Sequence, residues 1–89
     1  MKITDVRLRL KDEEKLKAVA SITIDECFVI HDLKVIDGKD GLFVSMPSKK
    51  NAEGAHKDIA HPIKTETRTE LQQIVLDAYN KALEEAKAE

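Results

Sequence analysis

From Ile3 to Leu10 the chain alternates, with Val6, Leu8 and Leu10 on one side and Asp5, Arg7 and Arg9 on the other. That two-residue period predicts a strand with one face buried and one in water. After the charged turn Lys11–Lys15 the alternation resumes. Leu16, Ala18, Ala20, Ile22 and Ile24 are expected inward, and Lys17, Ser21 and Thr23 outward. The two segments predict a hairpin, and its small alanines would let another layer approach closely. Asp25–Cys27 reads as a second turn. Phe28–Asp37 is rich in β-branched residues and reads as a third strand. Val29, His31, Leu33 and Val35 share one expected face, and Phe28, Ile30, Asp32, Lys34 and Ile36 the other. Apolar residues on both sides predict that both are at least partly covered. Gly38 and Gly41 permit a tight turn, Leu42–Met46 forms a fourth strand, and Pro47 ends it because it cannot donate to a ladder.

Residues 48–57 are polar and read as a loop. Asp58–Ile63 reads as short and extended, since Pro62 pushes the residue before it out of the α region. Then the period changes. Leu71, Ile74, Val75, Ala78, Tyr79, Ala82, Leu83 and Ala86 recur at three and four residues, the pattern of an amphipathic helix. Thr67 with Glu70 fits a capping box, and Thr65 is an alternative cap. Glu84, Glu85 and Glu89 have the wrong sign for a helix C-terminus, which predicts fraying. The fold class is therefore α+β. A small antiparallel sheet of four to five strands carries one long C-terminal helix, in a single domain spanning residues 1–89, without repeat or linker.

Composition adds an expectation about assembly. A chain of 89 residues buries only a modest fraction of its surface, and aromatics make up 3% of it. Its one cysteine, Cys27, rules out an internal disulfide. Oligomerisation is the expected supplement. One helix can cover one face of a small sheet, so Ile30 and Ile36, with Phe28 or Phe43, call for a second subunit on the other. The polar start Met1–Asp5 is not expected to be a signal peptide, no apolar run is long enough to span a membrane, and a lone cysteine fits a cytoplasmic setting.

The net charge of −2 argues against a broadly basic nucleic-acid coat, but its distribution is uneven. Residues 47–68 hold five bases (Lys49, Lys50, Lys57, Lys64, Arg68) against three acids (Glu53, Asp58, Glu66). Residues 1–46 and 69–89 each carry an acidic excess.

The segments "MKITDVRLR" (1–9), "ASITID" (20–25), "FVIHDLKVIDG" (28–38), "GLFVSMPSKK" (41–50) and "DIAHPI" (58–63) resemble, in order, the stage V sporulation protein G (SpoVG, septation regulator) family. The likeness covers most of residues 1–79 and includes the turn positions. It implies a bacterial cytoplasmic protein, dimeric through strand pairing, that binds DNA or RNA and regulates sporulation, asymmetric septation and gene expression. The family's nucleic-acid contacts, the basic pair after "MPS" and the start of the C-terminal helix, carry over to Lys49, Lys50 and Arg68. The family often has Lys-Arg where this chain has Lys49-Lys50. Lysine keeps the charge but lacks the planar fork that grips phosphate or guanine in two places, which favours phosphate contact over base readout.

Each candidate also has a plain structural reading. Lys49 and Lys50 could be a solvated loop that resists edge aggregation. Their place at a strand end, the adaptable loop and a dimer that presents the pair twice favour phosphate contact. Arg68, in the first helical turn, opposes the helix dipole, yet with the neighbouring amides it could hold one phosphate. Asn51 is the plausible base reader. His31, His56 and His61 lack the spacing of a zinc motif, so no metal is expected; His31 is expected on the apolar side of its strand, and His61 to fix the turn into the helix. Cys27 lies beside Asp25 and Glu26 with no base to favour a thiolate, and Ser45 and Ser48 have no identifiable base, so no catalysis and no cofactor are expected. The expected partners are DNA or RNA and a second copy of the chain, with no membrane and no small-molecule substrate. The rival readings are a protein-interaction regulator of division or sporulation machinery, acting through a strand edge or the acidic helix end, and, further off, a small hydrolase or metal-dependent enzyme.

Overall fold

In a computed structural model the chain is described over residues 1–11 and 13–87. Asp12 of the charged turn and Glu89 of the expected frayed end lie outside the described residues. Four strands, β1 (Ile3–Leu10), β2 (Leu16–Ile24), β3 (Phe28–Gly38) and β4 (Gly41–Ser45), pair antiparallel in the order β1-β2-β3-β4. One helix, α1 (Thr65–Lys87), lies across the sheet against β1 and β4. The α+β class read from the periodicities is the observed one.

The core forms between α1 and one face of the sheet. Ala18, Ala20 and Ile22 of β2, Leu33 and Val35 of β3 and Val44 of β4 are buried against Leu71, Val75 and Tyr79 of the helix. Ala18 and Ala20 are essentially inaccessible, so the small side chains do admit a second layer. At about 25 cal/mol per Å² of apolar surface removed from water, each large member contributes roughly 1.5–3 kcal/mol.

The structure revises the third strand. Ala20 stands opposite Leu33 and Ile22 opposite Ile30, so β3 contains one residue more than β2 over this interval. Asp32, at φ 66°, belongs to that β-bulge. The bulge resets the alternation. Ile30 joins Leu33 and Val35 on the core side, and His31, expected on the apolar side, is exposed on the other face with its Nδ1 2.9 Å from Ser21 Oγ. Of the apolar residues thought to need a second cover, Ile30 packs on the core, while Ile36 faces away with Phe43 opposite it.

Two further expectations are corrected. Residues 48–57 contain a hairpin, with β5 (Ser48–Lys50) and β6 (His56–Asp58) forming a separate two-stranded sheet. The helix starts at Thr65, with the Arg68 amide donating to the Lys64 carbonyl, so the Thr67–Glu70 box falls inside the helix and does not open it. No helix among the described residues is long and apolar enough to cross a membrane.

Candidate nucleic-acid interface

Pro47 stops β4, and the chain turns directly into β5. The Ile59 amide donates to the Pro47 carbonyl at 2.7 Å and anchors the base of the hairpin. At the tip, Asn51 closes the loop twice over. Its amide donates to the Ala55 carbonyl, and its Oδ1 accepts from the amides of Glu53 and Ala55 at 2.9 and 3.0 Å. Gly54 sits in the turn at φ 85°, a conformation that glycine takes without a steric penalty.

This register redistributes the predicted cations. Lys49 pairs across the hairpin with Lys57, and Lys50 with His56. Neighbouring residues of a strand point to opposite faces, so Lys49 and Lys50 do not form one patch. The joint patch is Lys49 with Lys57, a residue that the sequence reading counted in the charge balance but did not single out. Three polar residues on either side of a glycine-containing five-residue turn gave no apolar alternation to announce this pairing. Like charges directly opposite repel, a modest cost for side chains in water that leaves a concentrated positive potential.

Arg68 is half-buried in the first turns of α1. It lines a shallow cleft with His56, Lys57, Asp58 and His61. The structure thus brings Arg68 to Lys57 and His56, the register partners of Lys49 and Lys50, while Lys49, Lys50 and Asn51 do not themselves line that cleft. The one ion pair among the described residues, Arg7 with Asp5, lies elsewhere, so none of these four cations is in a direct pair with a described acid. Among the described residues no group of three or more His, Cys, Asp or Glu side chains could hold a metal ion. Cys27 is exposed in the β2–β3 turn.

Fold and site together define a small α+β domain in which a basic hairpin stands beside a helix start. The SpoVG family model matches residues 1–81, and the chain belongs to the SpoVG family. Similar curated proteins are SpoVG proteins named for septation. That of Lachnospira eligens is 60% identical over 83 residues, 92% of this chain and 94% of the relative. That of Thermoanaerobacter sp. (strain X514) is 56% identical over 89 residues, 99% and 97% of the two chains. That of Myxococcus xanthus is 51% identical over 88 residues, 99% and 89%.

Proposed function

We propose that the chain is a nucleic-acid-binding regulator of the SpoVG type, acting on septation, sporulation and gene expression, and that it works as a homodimer joined by strand pairing. The observation that carries this reading is the row Lys49–Lys57–Arg68: two lysines paired across a hairpin anchored at both ends and an arginine of α1 lining the same cleft as Lys57, none of them in a direct ion pair with a described acid. Such a row neutralises phosphates and releases their counterions, a source of affinity that does not depend on sequence. Asn51 Oδ1 is already engaged in the loop, which leaves its amide nitrogen as the group for a base edge. Contacts of this kind position a polyanion more than they read it. The names of the relatives support the septation context.

The pairing edge we assign is β4. Both β1 and β4 are sheet edges, but β1 carries Asp5, Arg7 and Arg9, whereas Gly41–Ser45 has no charged residue to discourage a second strand. A twofold axis normal to the sheet would pair β4 with its copy and repeat each hairpin once.

The test is a titration of labelled duplex DNA and single-stranded RNA at two salt concentrations with the parent and with Lys49→Ala/Lys57→Ala. We expect weaker binding and a salt slope on duplex shallower by about 1.8, from two lost phosphate contacts. Equal affinity and slope in parent and variant would refute the hairpin as the contact. The second reading, a protein-interaction regulator, is favoured by exposed apolar side chains at Phe28, Ile59 and Ile63, which are 63%, 68% and 89% accessible.

A further inference from the structure

The sheet face turned away from α1 has chemistry of its own. Two shallow depressions meet on it. One is lined by Arg7, Arg9, Lys11, Val19 and Ser21, the other by Asp5, Arg7, Ser21, Thr23, Val29 and His31. They share Arg7 and Ser21, which are register partners on β1 and β2.

The cations on this face are ordered. Arg7 and Arg9 alternate along β1 and Lys11 follows, so successive side chains stand about 6.8 Å apart, two strand rises. That is close to the repeat of phosphates along an extended single strand. Lys34 adds a charge on β3, opposite Ser45. Asp5 bonds Arg7 at 3.2 Å, but the two side chains are 52% and 86% accessible, so the pair holds Arg7 only weakly against a phosphate.

Across the sheet from the β1 arginines lie groups suited to bases. Ser21 and His31 form a hydrogen-bonded pair at 2.9 Å on adjoining strands. Phe43 is 43% accessible and has its ring edge over Gly38, where a Cβ would come within 2.9 Å of it. An exposed sheet face with arginines along one edge strand, a polar pair on the inner strands and an aromatic ring on the opposite edge can bind splayed bases while the cationic edge follows the backbone. A second copy stacked on this face would set its arginine rows in a low-dielectric seam where Asp5 stands beside Arg7, Arg9 and Lys11, an excess of positive charge that is unfavourable to bury.

We propose that this open sheet face is a second contact surface, for extended single-stranded nucleic acid, with Arg7, Arg9 and Lys34 on phosphates and the Ser21–His31 pair and Phe43 against bases. The inference rests on the nucleic-acid reading above and adds to it a preference for unpaired strands. The hairpin meets phosphates of any form, whereas the sheet face meets bases only when they are unstacked.

The experiment uses the full chain and two probes, a 20-nucleotide single-stranded RNA and a duplex DNA of equal length. The variants are Arg7→Gln/Arg9→Gln, Lys34→Gln on a different strand, and Lys49→Ala/Lys57→Ala. We expect both sheet variants to bind the single strand several-fold more weakly while their duplex affinity is unchanged. For the double arginine variant the single-strand salt slope should fall by about 1.4. The hairpin variant should weaken on both probes. Amide resonances of Val19, Ser21 and His31 in the parent should shift with the single strand and stay in place with the duplex. If the parent binds both probes, sheet variants that match it in affinity and slope, with those resonances unmoved, overturn this inference alone. A parent that binds neither probe overturns the nucleic-acid reading and this one with it. A poly-glutamate peptide that shifts the same resonances at equal affinity would overturn it in favour of an acidic protein partner.

Discussion

Asp25 and Glu26 hold φ angles of 51° and 58°, a region that a side chain with a Cβ occupies at a cost of roughly 1–2 kcal/mol each. Their surroundings offset that cost. Asp25 Oδ1 accepts from the Lys2 amide, and Thr4 Oγ1 accepts from the Glu26 amide, tying the β2–β3 turn to the start of β1. Asparagine tolerates this conformation better than glutamate and leaves the backbone bond from residue 26 in place. Glu26→Asn should therefore raise the melting temperature by a few degrees, read by calorimetry. In the core, Ile22 is fully buried, and Ile22→Ala should cost about 2–5 kcal/mol in a denaturant titration, a large share of a small domain's stability. The inward alanines and the helical Leu71, Val75 and Tyr79 were legible in the sequence because burial follows directly from period. The facing of His31 was not, since one bulged residue inverts every parity inference beyond it.

Elements fared unevenly for a related reason. Long apolar periods identified four strands and the helix, because each repeats its signal several times. The β5–β6 hairpin has three residues in each strand and no apolar stripe, so its pairing shows only in backbone bonds and in the side chain of Asn51. Asn51→Ala removes an acceptor shared by two amides. It should speed hydrogen exchange at Glu53 and Ala55, while Asn51→Asp, which keeps an oxygen there, should preserve most of the protection. If the hairpin organises the cationic row, Asn51→Ala should also weaken duplex binding without removing a charge. The helix start escaped the capping rule because its opening bond uses the Lys64 carbonyl, a backbone group that no residue type announces.

On the scale of the whole molecule, composition foresaw a scarcity of core. Among the described residues ten side chains form the buried cluster, and Phe28, Ile59 and Ile63 remain largely in water. The assembly we propose should show by light scattering a mass near twice 10.0 kDa. Leu42→Lys, on the uncharged β4 edge, should shift it toward the monomer, and a parent mass of one chain would remove the doubled hairpin. A twofold normal to the sheet would leave both open faces on the same side, so their cationic rims would flank one broad floor. What shapes that floor is a spare residue. Were Asp32 excised, Ser21 could meet His31 in an unbroken ladder between the Ala20–Leu33 and Ile22–Ile30 partnerships, with no interior side chain changing sides. The insertion thus contributes nothing that the interior requires. Its effect is to bend the floor beside His31, so a chain shortened by that residue should keep its thermal stability and surrender its grip on unpaired strands.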